Sequence, residues 1–201
     1  MPAKFESPIT RIVLVGLMAS GKTTVGTALA RRLGWRYRDN DDLLVELAGA
    51  TANELNRRVG ADELHRLEAD SVLAVLDDPG PSVVGAAAST IEDERFRAAL
   101  ATPGVFVVWL QGDPAQLALR MPSGVHRPAL AADLARLLTN QLQKRRPLFE
   151  SVADLVIPAA GSTADEVAAT IATAVSHDRV PKADAADRRQ APGPGRRLRG
   201  A

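Results

Sequence analysis

The most specific chemical spacing in this sequence is Gly16-Leu17-Met18-Ala19-Ser20-Gly21-Lys22-Thr23. In the pattern Gly-x-x-x-x-Gly-Lys-Ser/Thr, the glycines let the backbone curl so that successive amide N–H groups point at phosphate oxygens. The helix that follows adds its positive N-terminal end. Lys22 is placed to reach the β- and γ-phosphates and the Thr23 hydroxyl to join the shell of Mg²⁺, with Gly16, Ala19, Ser20, Gly21 and Thr24 completing the cradle. The expected ligand is a nucleoside triphosphate with its magnesium. ATP is preferred to GTP because no Asn-Lys-x-Asp guanine signature is present. An ordinary glycine turn could match by chance, but this one has an apolar strand pattern before it and a helical pattern after it.

A second group of interest is Asp39-Asn40-Asp41-Asp42, expected at the carboxyl end of a strand beside the phosphate loop, where open α/β sheets bind ligands. One carboxylate there can hold the magnesium shell, and another can orient or deprotonate a substrate hydroxyl. Asp41 or Asp42 could equally be the acidic N-cap of the next helix, and both uses can coexist. Arg127 lies among Pro122, Gly124 and Pro128, a loop expected to move. An arginine delivered when such a loop closes stabilises the charge of a transferring phosphoryl group, although a plain surface arginine would fit the same residues. Arg145, in Lys144-Arg145-Arg146, is expected near a helix end, where basic residues also favour the dipole.

These residues need a frame. Arg11 to Val15 is a continuous apolar, β-branched run of the kind that fills a strand buried on both faces. Thr24 to Leu33 has helical spacing and stops at Gly34. Further short apolar runs at Trp35 to Arg38, Ser82 to Val84, Val105 to Leu110 and Leu155 to Ile157 alternate with helical patterns at about 41–48, 52–59, 61–77, 92–101, 114–121, 131–146 and 163–176. The alternation predicts an α/β fold with about five parallel strands. Trp35 and Trp109 fall in strands as core residues, and His126 and His177 have no partners at metal-ligand spacing.

The 201 residues, 46% of them apolar, are enough for one domain with a proper core. Of the 25 Lys+Arg, seven lie in residues 178–201 with three acids, which leaves 18 basic and 21 acidic residues before them. The absence of an overall basic field argues against a nucleic-acid partner. From Val180 onward almost no large apolar side chain remains, so 178–201 is expected to be a disordered basic tail after a domain of 1–177. No cysteine, no signal-peptide core and no run of about 18 apolar residues point to a cytoplasmic protein with no membrane partner.

The phosphate loop gives the nucleotide and not the reaction, since GTPases, ATPases and small kinases share it. Here the chain resembles the shikimate kinase family, over nearly all of residues 10–176. The resemblance rests on Gly16 to Thr23, on Asp39-x-Asp41 followed by an apolar helix with Glu46, on Arg127-Pro128, and on Lys144-Arg145-Arg146-Pro147-Leu148-Phe149. It implies a three-layer P-loop kinase fold, a lid at about 121–132, a monomer, and transfer of the ATP γ-phosphoryl to a hydroxyl of shikimate. It further implies Asp39 and Thr23 at the magnesium, Lys22, Asp41 and Arg127 in catalysis with Asp41 as base, Arg120 on adenine and Arg145 on the substrate carboxylate.

Two departures bear on the acceptor. His65 stands in Leu64-His65-Arg66-Leu67-Glu68 where the family has arginine. An imidazole makes at best one of the two hydrogen bonds of a guanidinium and is mostly neutral at pH 7. Arg66, one step around the helix, is expected to point elsewhere. Gly85-Ala86-Ala87-Ala88 replaces Gly-Gly-Gly-Ala, and each added Cβ restricts a backbone that glycine would let approach a ligand closely. The acceptor is therefore expected to be shikimate or a related hydroxy acid or polyol, with a non-catalytic nucleotide-binding regulator as the alternative.

Overall fold

The computed structural model describes residues 8–121, 128–158 and 160–176. Five strands, β1 (Arg11–Val15), β2 (Arg36–Asp39), β3 (Ser82–Gly85), β4 (Val105–Gln111) and β5 (Leu155–Pro158), form one parallel sheet in the order β2-β3-β1-β4-β5. The helices are α1 (Lys22–Leu33), α2 (Asn40–Ala48), α3 (Ala52–Val59), α4 (Ala61–Leu76), α5 (Glu94–Leu100), α6 (Pro114–Arg120), α7 (Pro128–Val152) and α8 (Ala164–Ser176). The α/β expectation holds, strand for strand.

All five residues of β1 are buried because β1 is central and successive side chains enter opposite layers. Val13 and Val15 join Val84, Val107, Trp109 and Phe149 in one core, which α4 to α7 cover. Ile12 and Leu14 join Leu29, Val83, Phe106 and Ile171 in the other, under α1 and α8. A third cluster of Leu44, Ala50, Leu55 and Leu64 ties α2, α3 and α4 together beyond the sheet edge. There α3 starts on a reciprocal capping box between Thr51 and Glu54.

The carboxyl end of β2 lies beside the phosphate loop, as expected, although β3 stands between β2 and β1 in the sheet. Two expectations need correction. The helix after β2 is capped by Asp39, whose side chain accepts from the Asp41 N–H, and not by Asp41 or Asp42. The helix expected over 131–146 runs from Pro128 to Val152, straight through Pro147. A proline inside a helix costs about 3 kcal/mol, but the last turns carry Phe149, which is fully buried and stacked on Trp109 with ring centroids 5.4 Å apart. Burying that ring offsets the missing hydrogen bond. Trp35 is buried just ahead of β2, and both tryptophans are core.

Residues 122–127 of the expected lid, with His126 and Arg127, lie outside the described residues, as do His177 and the tail at 178–201. Among the described residues no helix is long and apolar enough to cross a membrane.

Because Phe149 anchors α7 to the sheet, Phe149→Ala is expected to destabilise the protein by roughly 3–5 kcal/mol, read as a lower midpoint in urea unfolding. A change below about 1 kcal/mol would mean that α7 is held by something else.

Candidate active site

At the carboxyl ends of β1 and β3 a cleft of about 750 Å³ brings together Ala19, Gly21, Lys22, Thr23 and Thr24 of the phosphate loop with Asp39, Asn40, Asp41, His65, Glu68, Gly85, Ala86, Ala87, Arg120 and Arg145. Of the residues singled out from sequence, Gly16 and Ser20 stand behind the loop rather than on its surface, and Arg127 lies outside the described residues.

The loop is shaped by its backbone. Gly16 has φ 146°, and a Cβ there would sit 2.6 Å from the Leu110 carbonyl oxygen. Ala19 adopts φ 62°, a left-handed conformation that costs a non-glycine residue of order 1–3 kcal/mol and that collects at ligand-binding loops. Gly21 precedes α1, whose first turn has neither an acidic residue nor a side-chain cap. The first amides of α1 thus face the cleft without a protein anion, as a phosphate-binding helix requires. Ser20 Oγ is buried behind the loop with no hydrogen-bond partner in the protein.

Lys22 Nζ donates to the carbonyl oxygens of Gly16 and Leu17, each at 3.0 Å, which arches the side chain back over the loop. Burial pushes its pKa down to about 8, against the opposing pull of Asp39 and Asp41. Thr23 Oγ1 donates to Asp39 Oδ2 at 2.9 Å, and Tyr37 Oη donates to the same oxygen at 2.8 Å. A hydroxyl and a carboxylate held this close at the mouth of a phosphate loop suit Mg²⁺, which takes one or two protein oxygens and completes its octahedron with phosphate and water. Tyr37 itself is half-buried, and desolvation followed by its bond to Asp39 raises its pKa, so it stays a donor.

Asp41 lines the cleft one helical step from the cap. Burial raises its pKa, and the charges of Asp39 and Asp42 add to the shift. Asn40, unremarked from sequence, is buried and accepts from the Ala87 N–H at 3.0 Å, tying α2 to the chain after β3. Ala86 and Ala87 lack left-handed φ angles, as does Gly85. Gly85 is required for another reason: a Cβ there would lie 2.3 Å from Tyr37 Oη. The close approach anticipated to a ligand is made to the protein's own tyrosine.

On α4, His65 and the buried Glu68 face the cleft, and Glu68 accepts a short hydrogen bond from Ser89 Oγ. Burial raises the Glu68 pKa, partly offset by that bond. Arg66 points away, paired with Glu63 at 2.6 Å and Asp70 at 2.7 Å, so it does not stand in for an arginine at position 65. Arg145 is not near a helix end. It sits within α7, 6% exposed, with Nε donating to Glu92 Oε1 at 2.8 Å and Nη1 to Gln141 Oε1 at 3.2 Å.

A model of the shikimate kinase family matches residues 18–176. The chain belongs to the shikimate kinase family. It is 34% identical over 164 residues to a shikimate kinase of Geobacter sulfurreducens, covering 82% of this chain and 90% of that one. It is 37% identical over 157 residues to one of Streptomyces coelicolor, covering 78% and 90%. Among solved structures, the shikimate kinase of Acinetobacter baumannii in complex with shikimate superposes with a TM-score of 0.73 at 25% identity, covering 86% of this chain and 96% of that one.

In this shikimate kinase family member, sequence reasoning missed Tyr37, Asn40, Glu68 and Glu92. Tyr37 was accessible, because it lies two residues before Asp39 on the same face of a strand. Glu92, 53 residues from Arg145, carries no local signal. The contact at Gly85 gives a test: Gly85→Ala is expected to cost about 1–3 kcal/mol, and the loss should be partly relieved when Tyr37→Phe removes the hydroxyl. Strict additivity in a double-mutant cycle of unfolding free energies would show that the two do not meet.

Proposed function

We propose that the chain is an ATP-dependent kinase of shikimate kinase type, which transfers the γ-phosphoryl group to a hydroxyl of shikimate or a related hydroxy acid or polyol. The observation that carries this reading is the single cleft in which the phosphate loop, Asp39 and Asp41 lie side by side. Membership of the family supports the same reaction. One chain supplies every residue used, so the proposed working unit is a monomer.

Each side chain then has a task. The amides from Gly16 to Thr24 hold the β- and γ-phosphates, with Gly16 and Ser20 shaping the loop from behind. Lys22 neutralises charge where the β–γ bridge breaks. Magnesium held by Thr23 and Asp39 would supply further neutralisation as the leaving phosphate gains charge. Asp41 orients the acceptor hydroxyl and takes its proton as oxygen bonds to the γ-phosphorus, a role suited to a carboxylate whose basicity burial has increased. Arg120, at the end of α6, lines the cleft, which supports the role of packing on adenine that its motif implies. Arg127 keeps its proposed place on the lid from its motif. His65, Gly85, Ala86, Ala87 and Arg145 line the cleft and would border the acceptor.

The test is ADP release in a coupled assay that depends on an added acceptor. Lys22→Ala is expected to reduce kcat/KM at least ~10³-fold, within the range lost when a transition-state charge partner is removed. Retained activity would take the phosphate loop out of the mechanism.

The same lysine sets a pH limit. Lys22 must be cationic, its pKa in the free protein is about 8, and deprotonation follows as pH rises. Thus kcat/KM for ATP should fall above about pH 8, whereas kcat at saturating ATP should hold to higher pH because the bound triphosphate favours the charged amine. Coincident alkaline limbs in the two profiles would contradict the assignment.

A further inference from the structure

The acceptor end of the cleft has an unusual charge balance. In the reading above, Arg145 is the cation that would meet an acceptor carboxylate. A guanidinium grips a carboxylate through two parallel N–H groups, either along the Nε–Nη2 edge or across the Nη1–Nη2 end. Both ways are already engaged. Nε donates to Glu92 Oε1 at 2.8 Å, which takes the edge, and Nη1 donates to Gln141 Oε1 at 3.2 Å, which takes the end. Gln141 is a neutral neighbour one helical turn away and can rotate aside. Glu92 cannot leave as easily, because Lys144 clamps its second oxygen and each carboxylate oxygen then carries one cation. Arg145 is buried, so this pair is shielded from solvent to a degree that surface ion pairs are not.

The rest of the acceptor end adds no replacement cation among the described residues. Facing it are His65, the carboxylates of Asp41 and Glu68, and the small residues Ala86 to Ser89. Arg66, the nearest arginine in sequence to His65, is committed to Glu63 and Asp70. Lys22 belongs to the phosphates. A carboxylate entering here must displace Glu92 from Arg145 or lie beside it, and it also meets Asp41 and Glu68. An uncharged amide or hydroxyl needs neither displacement nor compensation, and it can donate to Glu68, which lines the cleft.

We propose that Glu92 is a specificity-determining residue that occupies the acceptor-side arginine from within the chain and shifts the preferred acceptor from a ring carboxylic acid to its uncharged polyhydroxylated counterpart. The inference rests on the kinase reading for the placing of the acceptor, but it concerns charge selection and can be measured without turnover.

The test compares shikimate with its carboxamide, which has nearly the same shape and no charge, on the full chain with ATP's non-hydrolysable analogue and magnesium present. Binding is read by calorimetry and turnover separately by ADP release. In the unmodified protein the carboxamide should bind at least about tenfold more tightly than the acid. Glu92→Gln keeps the shape and removes the charge; it should tighten the acid about tenfold and leave the carboxamide within about twofold, which corresponds to one charge-assisted hydrogen bond. His65→Arg, which adds a cation at the same end and leaves Glu92 in place, should also tighten the acid selectively. It serves if the first variant does not fold.

Tighter binding of the acid than of the carboxamide by the unmodified protein overturns the proposal. So does an acid-to-carboxamide ratio that Glu92→Gln, or His65→Arg where the first does not fold, leaves unchanged, or binding of neither compound by any form. Selective binding without turnover of either compound would remove the kinase reading and leave the charge selection standing. Turnover with no charge preference would do the reverse.

Discussion

Much of this molecule depends on one hydrogen-bonded junction, in which Thr23 and Tyr37 both donate to the same oxygen of Asp39. The three residues come from the start of α1, which follows β1, and from β2, and β3 separates those two strands in the sheet. Parallel pairing aligns Leu14 with Gly85 and Gly85 with Asp39, so the ends of three strands lie in one row at the same edge. Across that row the tyrosine can reach only because the middle position has no side chain. A single methyl group on Gly85 would fall on Tyr37 Oη, and one on Gly26 would fall 2.2 Å from the Tyr37 ring. The Asp39 carboxylate is thereby held from below by core packing and from the side by α1. Groups preorganised in this way need not reorganise when charge develops next to them.

The two ends of the cleft are built on opposite electrostatic terms. At the phosphate end, the uncapped amides that open α1 and the Lys22 amine offer donors to an anion. At the proposed acceptor end, Nε and Nη1 of Arg145 already have partners within the chain. The Glu92 carboxyl would be raised by burial, but the hydrogen bonds from Lys144 and Arg145 outweigh that and hold it below its usual range. Such a pair is costly to open, because breaking it leaves a buried cation uncompensated until another anion arrives. A shared fold does not by itself fix the acceptor, which depends on the side chains at that end of the cleft.

Several parts of the fold were legible because they depend on local pattern. The β-branched run of β1, the Gly34 stop after α1 and the alternation of apolar runs gave five strands within one or two residues of their observed bounds. What could not be read locally was adjacency. Nothing in residues 36–39 says that β3 will insert between β2 and β1, since strand order follows from packing of the whole sheet. The extent of α7 was hidden for a similar reason. Pro147 is a stop signal by propensity, and only the burial of Phe149 against Trp109 explains why the helix continues past it.

The sequence by itself determined the nucleotide half of the site, because eight consecutive residues carry both the backbone conformation and the side chains that hold phosphates. It also identified the family and flagged His65 and the alanines after Gly85 as departures from it. The tertiary structure decided what those departures mean. It showed that Arg66 is tied to its own helix, that Gly85 makes room for Tyr37, and that Arg145 meets a carboxylate from 53 residues away. Charge balance in a buried cleft is a sum over side chains from distant elements, and the elements come together only when the sheet and its layers are formed.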